Sequence, residues 1–152
     1  MLTELCGYLK NWFEKENCYG DFVISDGHIT FADGTELPLK DGQYFRIIDS
    51  VFNDGVYKND TSSNSPSTLK EESFNGSVWA MAIPNEVIAL ADEIKAWKTK
   101  YEGADSAALS PFNSESFGGY SYSKGAGNSA DNTTGISWQS VFGNRLLRYR
   151  KV

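Results

Sequence analysis

The feature that most constrains this chain is a series of tight-turn signals set between short apolar stretches. Asp26-Gly27, Asp33-Gly34, Asp41-Gly42 and Asp54-Gly55 follow one another in a short span. Asp-Gly supplies the positive φ angles that two-residue hairpin loops require. Between these turns the sequence alternates at period two, as in Phe22-Val23-Ile24-Ser25 and His28-Ile29-Thr30-Phe31. Tyr44-Phe45-Arg46-Ile47-Ile48, Ser50-Val51-Phe52 and Val56-Tyr57-Lys58 read as further strands. Turns at this spacing predict four or five short antiparallel strands over residues 21–58, in a small sheet or partial barrel. Pro38 belongs on an edge, because it has no N–H to give to a ladder.

Helical spacing brackets this β region. Leu2, Leu5, Leu9, Trp12 and Phe13 form one apolar stripe and predict a helix from Leu2 to Glu16. Residues 59–68 hold no apolar side chain and read as a mobile loop. Phe74-Asn75-Gly76-Ser77 then leads into Val78–Ile83, a buried strand suited to closing the sheet. Pro84 opens a long amphipathic helix with Val87, Ile88, Leu90, Ala91, Ile94, Trp97 and Tyr101 on one side, ended by Gly103. Phe117–Ser123 alternates aromatic and small residues and reads as a short extended strand, and 123–135 as a second mobile loop. Ser137 caps a last helix from Trp138 to Arg150. The expected fold is a single α+β domain over 1–152. Its helices pack with an inserted antiparallel sheet or partial β-barrel at about residues 21–83.

Composition narrows the function classes. Aromatic residues make up 14% of the chain, far above a disordered sequence. The apolar run Val78–Ile83 falls well short of the roughly 20 residues of a membrane span, and Met1–Leu5 lacks the basic and apolar segments of a secretory signal. A net charge of −6 disfavours general nucleic-acid binding, which needs cations against phosphates. All 20 carboxylates precede residue 136, whereas Arg145, Arg148, Arg150 and Lys151 crowd the last segment. That basic end is either a solvated helix terminus complementing the helix dipole or a surface that meets an acidic partner or nucleic acid.

Catalytic and metal signatures do not stand out. Cys6 and Cys18 are twelve residues apart with no Cys-x-x-Cys pattern, and His28 is the only histidine, so structural zinc is not expected. The two thiols read as reduced, with a disulfide between them as the minor alternative. No nucleophile elbow, P-loop, zinc-protease or dinucleotide motif occurs. The carboxylates fall mostly in turns or on a helix's polar face, where solvation accounts for them. The sequence thus predicts a chain that is not an enzyme and carries no cofactor and no metal.

Several stretches together resemble one family. Gly42–Tyr57 resembles a small β module of phage structural proteins, and Glu72–Pro84 its continuation in prophage proteins encoded near the capsid genes. Ser114–Tyr122 is similar to the Ser-Glu-x-x-Gly-x-Tyr-Ser segment of head–tail adaptor (head-completion) proteins of long-tailed bacteriophages. Asn144–Lys151 is similar to their closing Leu-x-x-Tyr-Arg. The simple adaptors are mostly helical, whereas residues 21–83 here are largely β. The resemblance implies a virion structural protein at the head–tail junction, made in the bacterial host cytoplasm. It would self-associate into a ring that joins the portal to downstream connector or tail proteins, with no membrane and no sequence-specific nucleic acid as partner. The residues it marks for partner binding are Glu115, Phe117, Gly118, Gly119, Tyr120 and Tyr122 in an arm at 114–123, together with Arg145, Arg148, Arg150 and Lys151. Phe117, Tyr120 and Tyr122 serve equally well as cover for the chain's own core. A different class remains open, a carbohydrate- or peptide-binding module using exposed aromatics such as Trp79 or Trp97.

Overall fold

The computed structural model describes residues 1–60, 68–101 and 137–151, and the backbone of 114–117 and 120–123. The fold is α+β, with a five-stranded antiparallel sheet curled into a partial barrel. Contacts divide the chain into two compact units, Leu2–Pro84 and Asn85–Val152.

The first unit opens with α1 (Leu2–Leu9), followed by β1 (Glu14–Ser25), β2 (His28–Phe31), β3 (Tyr44–Ile48), β4 (Gly55–Lys58) and β5 (Glu72–Met81). The strand order is β2-β1-β5-β3-β4, and every pairing is antiparallel. The first strand pair turns at Asp26 and Gly27, both at positive φ (50° and 77°), as Asp-Gly favours. Pairing in register puts Phe22 opposite Phe74 and Phe31, and Phe45 opposite Tyr57. One face therefore gathers Phe22, Ile24, Phe45, Ile47, Phe74 and Val78 into a buried core. Pro38 lies outside the strands, between Leu37 and Leu39, which pack against that core.

Helix α1 is shorter than its apolar stripe predicts. Lys10 sits at φ 51° with its N–H on the Gly7 carbonyl, and the Asn11 N–H reaches the Cys6 carbonyl. This is a Schellman ending, built on lysine where glycine is usual. The chain beyond it joins β1, which runs far longer than Phe22–Ser25 because polar residues 14–21 pair along β5. Trp12 thus leaves the helix and stacks on Arg46, whose Cζ lies 3.4 Å from the ring centroid. The ring of Trp79, the cross-strand neighbour of Arg46, has its centroid 5.2 Å from the same Cζ. Thr3 adds a tie by accepting the Val56 N–H at 3.1 Å.

A second departure lies at Ser50–Phe52, which forms a turn and not a strand. The extended run of β3 ends at Asp49, at φ 67°. At that point the chain crosses close over β5. A Cβ on Gly76 would overlap the Ile48 carbonyl oxygen and stand 3.2 Å from Asp49 Cβ. Opposite Gly76 is Gly20, whose missing side chain is covered by the Phe31 ring. The loop expected at 59–68 begins with an anchored residue, since Asn59 donates its side-chain amide to the Lys40 carbonyl at 3.0 Å. Residues 61–67 lie outside the described residues.

The second unit contains α2 (Asn85–Tyr101), the paired strands β6 (Ser114–Phe117) and β7 (Tyr120–Ser123), and α3 (Trp138–Leu146) with a closing 3-10 turn (Leu147–Tyr149). Pro84 precedes α2, and Ser137 caps α3 by accepting the Ser140 N–H. Val87, Leu90, Ala91, Ile94, Trp97, Trp138, Phe142 and Leu146 are buried, as their helical spacing predicts. Gly103 and residues 124–135 fall outside the described residues.

Gly76→Ala should lower the unfolding free energy by about 2 kcal/mol, since backbone and not a flexible side chain blocks the new methyl. Urea denaturation measures this, and Gly34→Ala is not the matching control because of its positive φ; Ser77→Ala on the opposite face is.

Candidate functional site

Ile48 and Gly55 frame a loop with unusual internal bonding. Glu72, at the start of β5, is aligned with it by the register that puts Ile48 opposite Ser77. One carboxylate oxygen of Glu72 accepts from Ser50 Oγ at 2.5 Å, Asn53 Nδ2 at 2.9 Å and the Phe52 N–H at 3.3 Å. The other accepts the Val51 N–H at 2.9 Å. These backbone donors would otherwise serve a strand ladder, which explains why the apolar Ser50–Phe52 stretch does not continue β3. Asn53 completes the brace. It is only 1% exposed, donates to the Lys70 carbonyl at 3.0 Å and accepts the Lys70 N–H at 2.8 Å. Its own N–H donates to Ser50 Oγ at 2.7 Å. A partly buried polar network, with Ser50 and Asn53 at its buried centre and its members satisfied, favours a single conformation.

The brace holds two apolar side chains out in water. Val51 is 81% exposed and Phe52 61% exposed. Lys70 Nζ stands 5.7 Å from the Phe52 ring centroid. Asp49, Asp54 and Glu71, close to the loop in sequence, are exposed. Desolvation pushes the Glu72 carboxyl upward. The hydrogen bonds from Ser50, Val51, Asn53 and Phe52 outweigh it and hold the pKa below the ordinary carboxylate value. A carboxylate saturated with donors is a structural brace and a poor proton shuttle.

The residues singled out in the sequence fall on β6 and β7 and on the C-terminal end of the chain. Glu115 pairs with Tyr122 and Phe117 with Tyr120 across β6 and β7, so the expected extended strand is a two-stranded pair. Gly118 and Gly119 lie outside the described residues. Arg145 forms a two-pronged ion pair with Glu93 at 2.6 and 2.9 Å. Arg148 meets Glu86 at 2.7 Å, and the Tyr149 hydroxyl donates to the same carboxylate. Two of the four C-terminal cations therefore engage acids of this chain's own α2, while Arg150 and Lys151 are exposed. Hydrogen bonding from Arg145 holds the Glu93 carboxyl below its ordinary pKa. A groove of about 460 Å³ lies beside these pairs, lined by Glu86, Ala89, Leu90, Asn144, Arg145 and Arg148.

Other candidate chemistries find little support in the described geometry. Among the described residues, no group of three or more His, Cys, Asp or Glu side chains could hold a metal ion. Cys6 and Cys18 are both free. Burial drives the Cys6 thiol up to about 11 despite the nearby Arg46 charge, so it stays protonated near neutrality. His28 is exposed at the hairpin end of β2. No helix among the described residues is long and apolar enough to cross a membrane. No known family model, curated protein or solved structure matches the chain.

Sequence reading missed the braced loop. The only local signal was the pair Ser50 and Asn53 interrupting an apolar strand pattern. Their partner Glu72 is some twenty residues downstream, with nothing in its neighbourhood to mark it.

Glu72→Ala should leave the sheet folded while amide exchange at Val51, Phe52 and Asn53 speeds up by about tenfold or more. Acid should lower the protection factors of the same amides in the native chain, each taken against the intrinsic rate at that pH. Because the folded pKa is depressed, the carboxylate's contribution is complete above the ordinary value of 4.5 and drains away as pH falls through the lower folded value. Protection factors at these amides, each taken against the intrinsic rate at the same pH, that stay unchanged as pH falls for as long as the sheet remains folded would contradict the brace.

Proposed function

We propose that this chain is a non-enzymatic assembly subunit, a head–tail adaptor of a phage or prophage that joins the portal vertex to the next connector or tail protein. The observation that carries the assembly role is the loop tip. Val51 and Phe52 are held in water by a network whose members are otherwise satisfied. Exposing a phenylalanine gains nothing for folding, and bracing the loop lowers the ordering cost of docking it. Rigid apolar anchors of this kind are what protein interfaces use as their energetic centre.

Two further features support the reading. Strands β6 and β7 pair only with each other among the described residues. An isolated two-stranded unit is marginal in water, which suits an arm completed by strand addition on a partner. The adaptor slot itself rests on the resemblance of residues 42–57, 72–84, 114–122 and 144–151. The indole surfaces that a sugar-binding module needs are largely occupied: Trp97 and Trp138 are buried, and Trp12 stacks on Arg46.

The double variant Val51→Ser, Phe52→Ser should keep its thermal midpoint within a few degrees, since both residues are exposed. Particles assembled with it should lose the subunit or fail to join head to tail. Normal infectious particles carrying the variant would refute the assembly role of the tip.

A further inference from the structure

The same chain carries a knob and a groove with matched chemistry. The knob is Phe52 with Val51 at the tip of the braced loop; the flanking sequence supplies an acidic collar of exposed Asp49, Asp54 and Glu71, and Lys70 Nζ stands 5.7 Å from the Phe52 ring. The groove lies on the α2–α3 unit, lined by Ala89, Leu90 and Asn144 together with Arg145, Arg148 and Glu86. We propose that the tip of one copy docks into the α2–α3 groove of a second copy, with the acidic collar of the knob facing the arginines. This rests on the assembly role proposed above and names the partner of its tip.

Three observations favour a second copy as occupant. The first is size, since a groove of about 460 Å³ is of the order that takes a drug-sized apolar group. The second is charge. The segment from Arg145 to Lys151 contains four cations and no acid, and α2 neutralises only two of them, through Glu93 and Glu86. Arg150 and Lys151 are exposed. The third is the looseness of the outer pair. The Arg148 and Glu86 side chains are 65% and 68% exposed, and an ion pair so exposed contributes little and exchanges readily. An incoming carboxylate from Asp49, Asp54 or Glu71 competes for that guanidinium on nearly equal terms. The contact uses different patches on its two sides, so repetition propagates head to tail and closes only if the rotation allows it.

Sedimentation velocity on the purified full chain over a wide concentration range tests the contact. Wild type should associate as concentration rises. Phe52→Ser and Arg148→Glu, each on a different side of the contact, should each weaken association by about tenfold or more. A geometric readout follows from mixing Phe52→Cys with Ala89→Cys under mild oxidation, against wild type as the control for the native thiols. A disulfide-linked dimer of the two different variants, absent from either variant alone, supports the docking. A chain that stays monomeric throughout, or association that neither substitution changes, overturns it. Binding to vesicles of anionic phospholipid that Phe52→Ser abolishes would assign the tip to a bilayer and also overturn it. If the chain is monomeric yet enters particles normally and the tip variant does not, the assembly role stands and only the second copy is removed.

Discussion

The close approach of the backbone to Gly76 is the constraint on which the first unit's arrangement depends. β5 is the central strand of the sheet, paired to β1 on one side and β3 on the other. With no Cβ at Gly76, the carbonyl of Ile48 and the Cβ of Asp49 lie directly on this strand. The chain therefore leaves β3 across the inner face of β5 and arrives over Glu72, on the same face four residues upstream. Any larger residue would push the turn away from the carboxylate that organises it. The loop tip and the sheet are consequently one construction.

The opposite face of the sheet is organised by a different force. Arg46 points away from the apolar core, as alternation from Phe45 and Ile47 requires. Its guanidinium stacks on Trp12 and lies near Trp79, and this contact ties the chain that follows α1 to the middle of the sheet. Arg46 Nε and Trp79 Nε1 are buried without an acceptor among the described residues, so cation–π attraction and packing hold the group. The nearby Cys6 is buried at the same place and stays a neutral thiol. The two cysteines thus lie on opposite faces of the sheet, Cys18 beside the apolar core and Cys6 beside Arg46.

What was legible in the sequence is what local chemistry decides. Asp26-Gly27 fixed a hairpin because only that φ pair turns so sharply. Tyr44–Ile48 was readable as β3 because aromatic and β-branched residues fill it between two turn signals. The apolar positions of α2 and α3 followed from helical spacing, and Ser137 from its capping oxygen. Helix α1 was misjudged at its end because Lys10 occupies a position where glycine would have announced the stop. The polar first half of β1 was invisible, since its pairing with β5 rather than its side chains makes it a strand. At the site, Val51 and Phe52 carried the pattern of a buried strand and turned out exposed, because Glu72 takes their N–H groups.

Sequence by itself determined the α+β class, the positions of most turns and the apolar sets that each element buries. These are short-range properties, set by allowed φ and ψ and by periodic burial. Tertiary structure alone decided which surface is displayed. The tip exists because Glu72, Asn53 and Lys70 meet Ser50–Asn53 across a gap in sequence that no local preference reports. Hydrogen bonds formed over such a separation depend on the strand register and on the missing Cβ at Gly76, and neither is written in the residues of the loop itself.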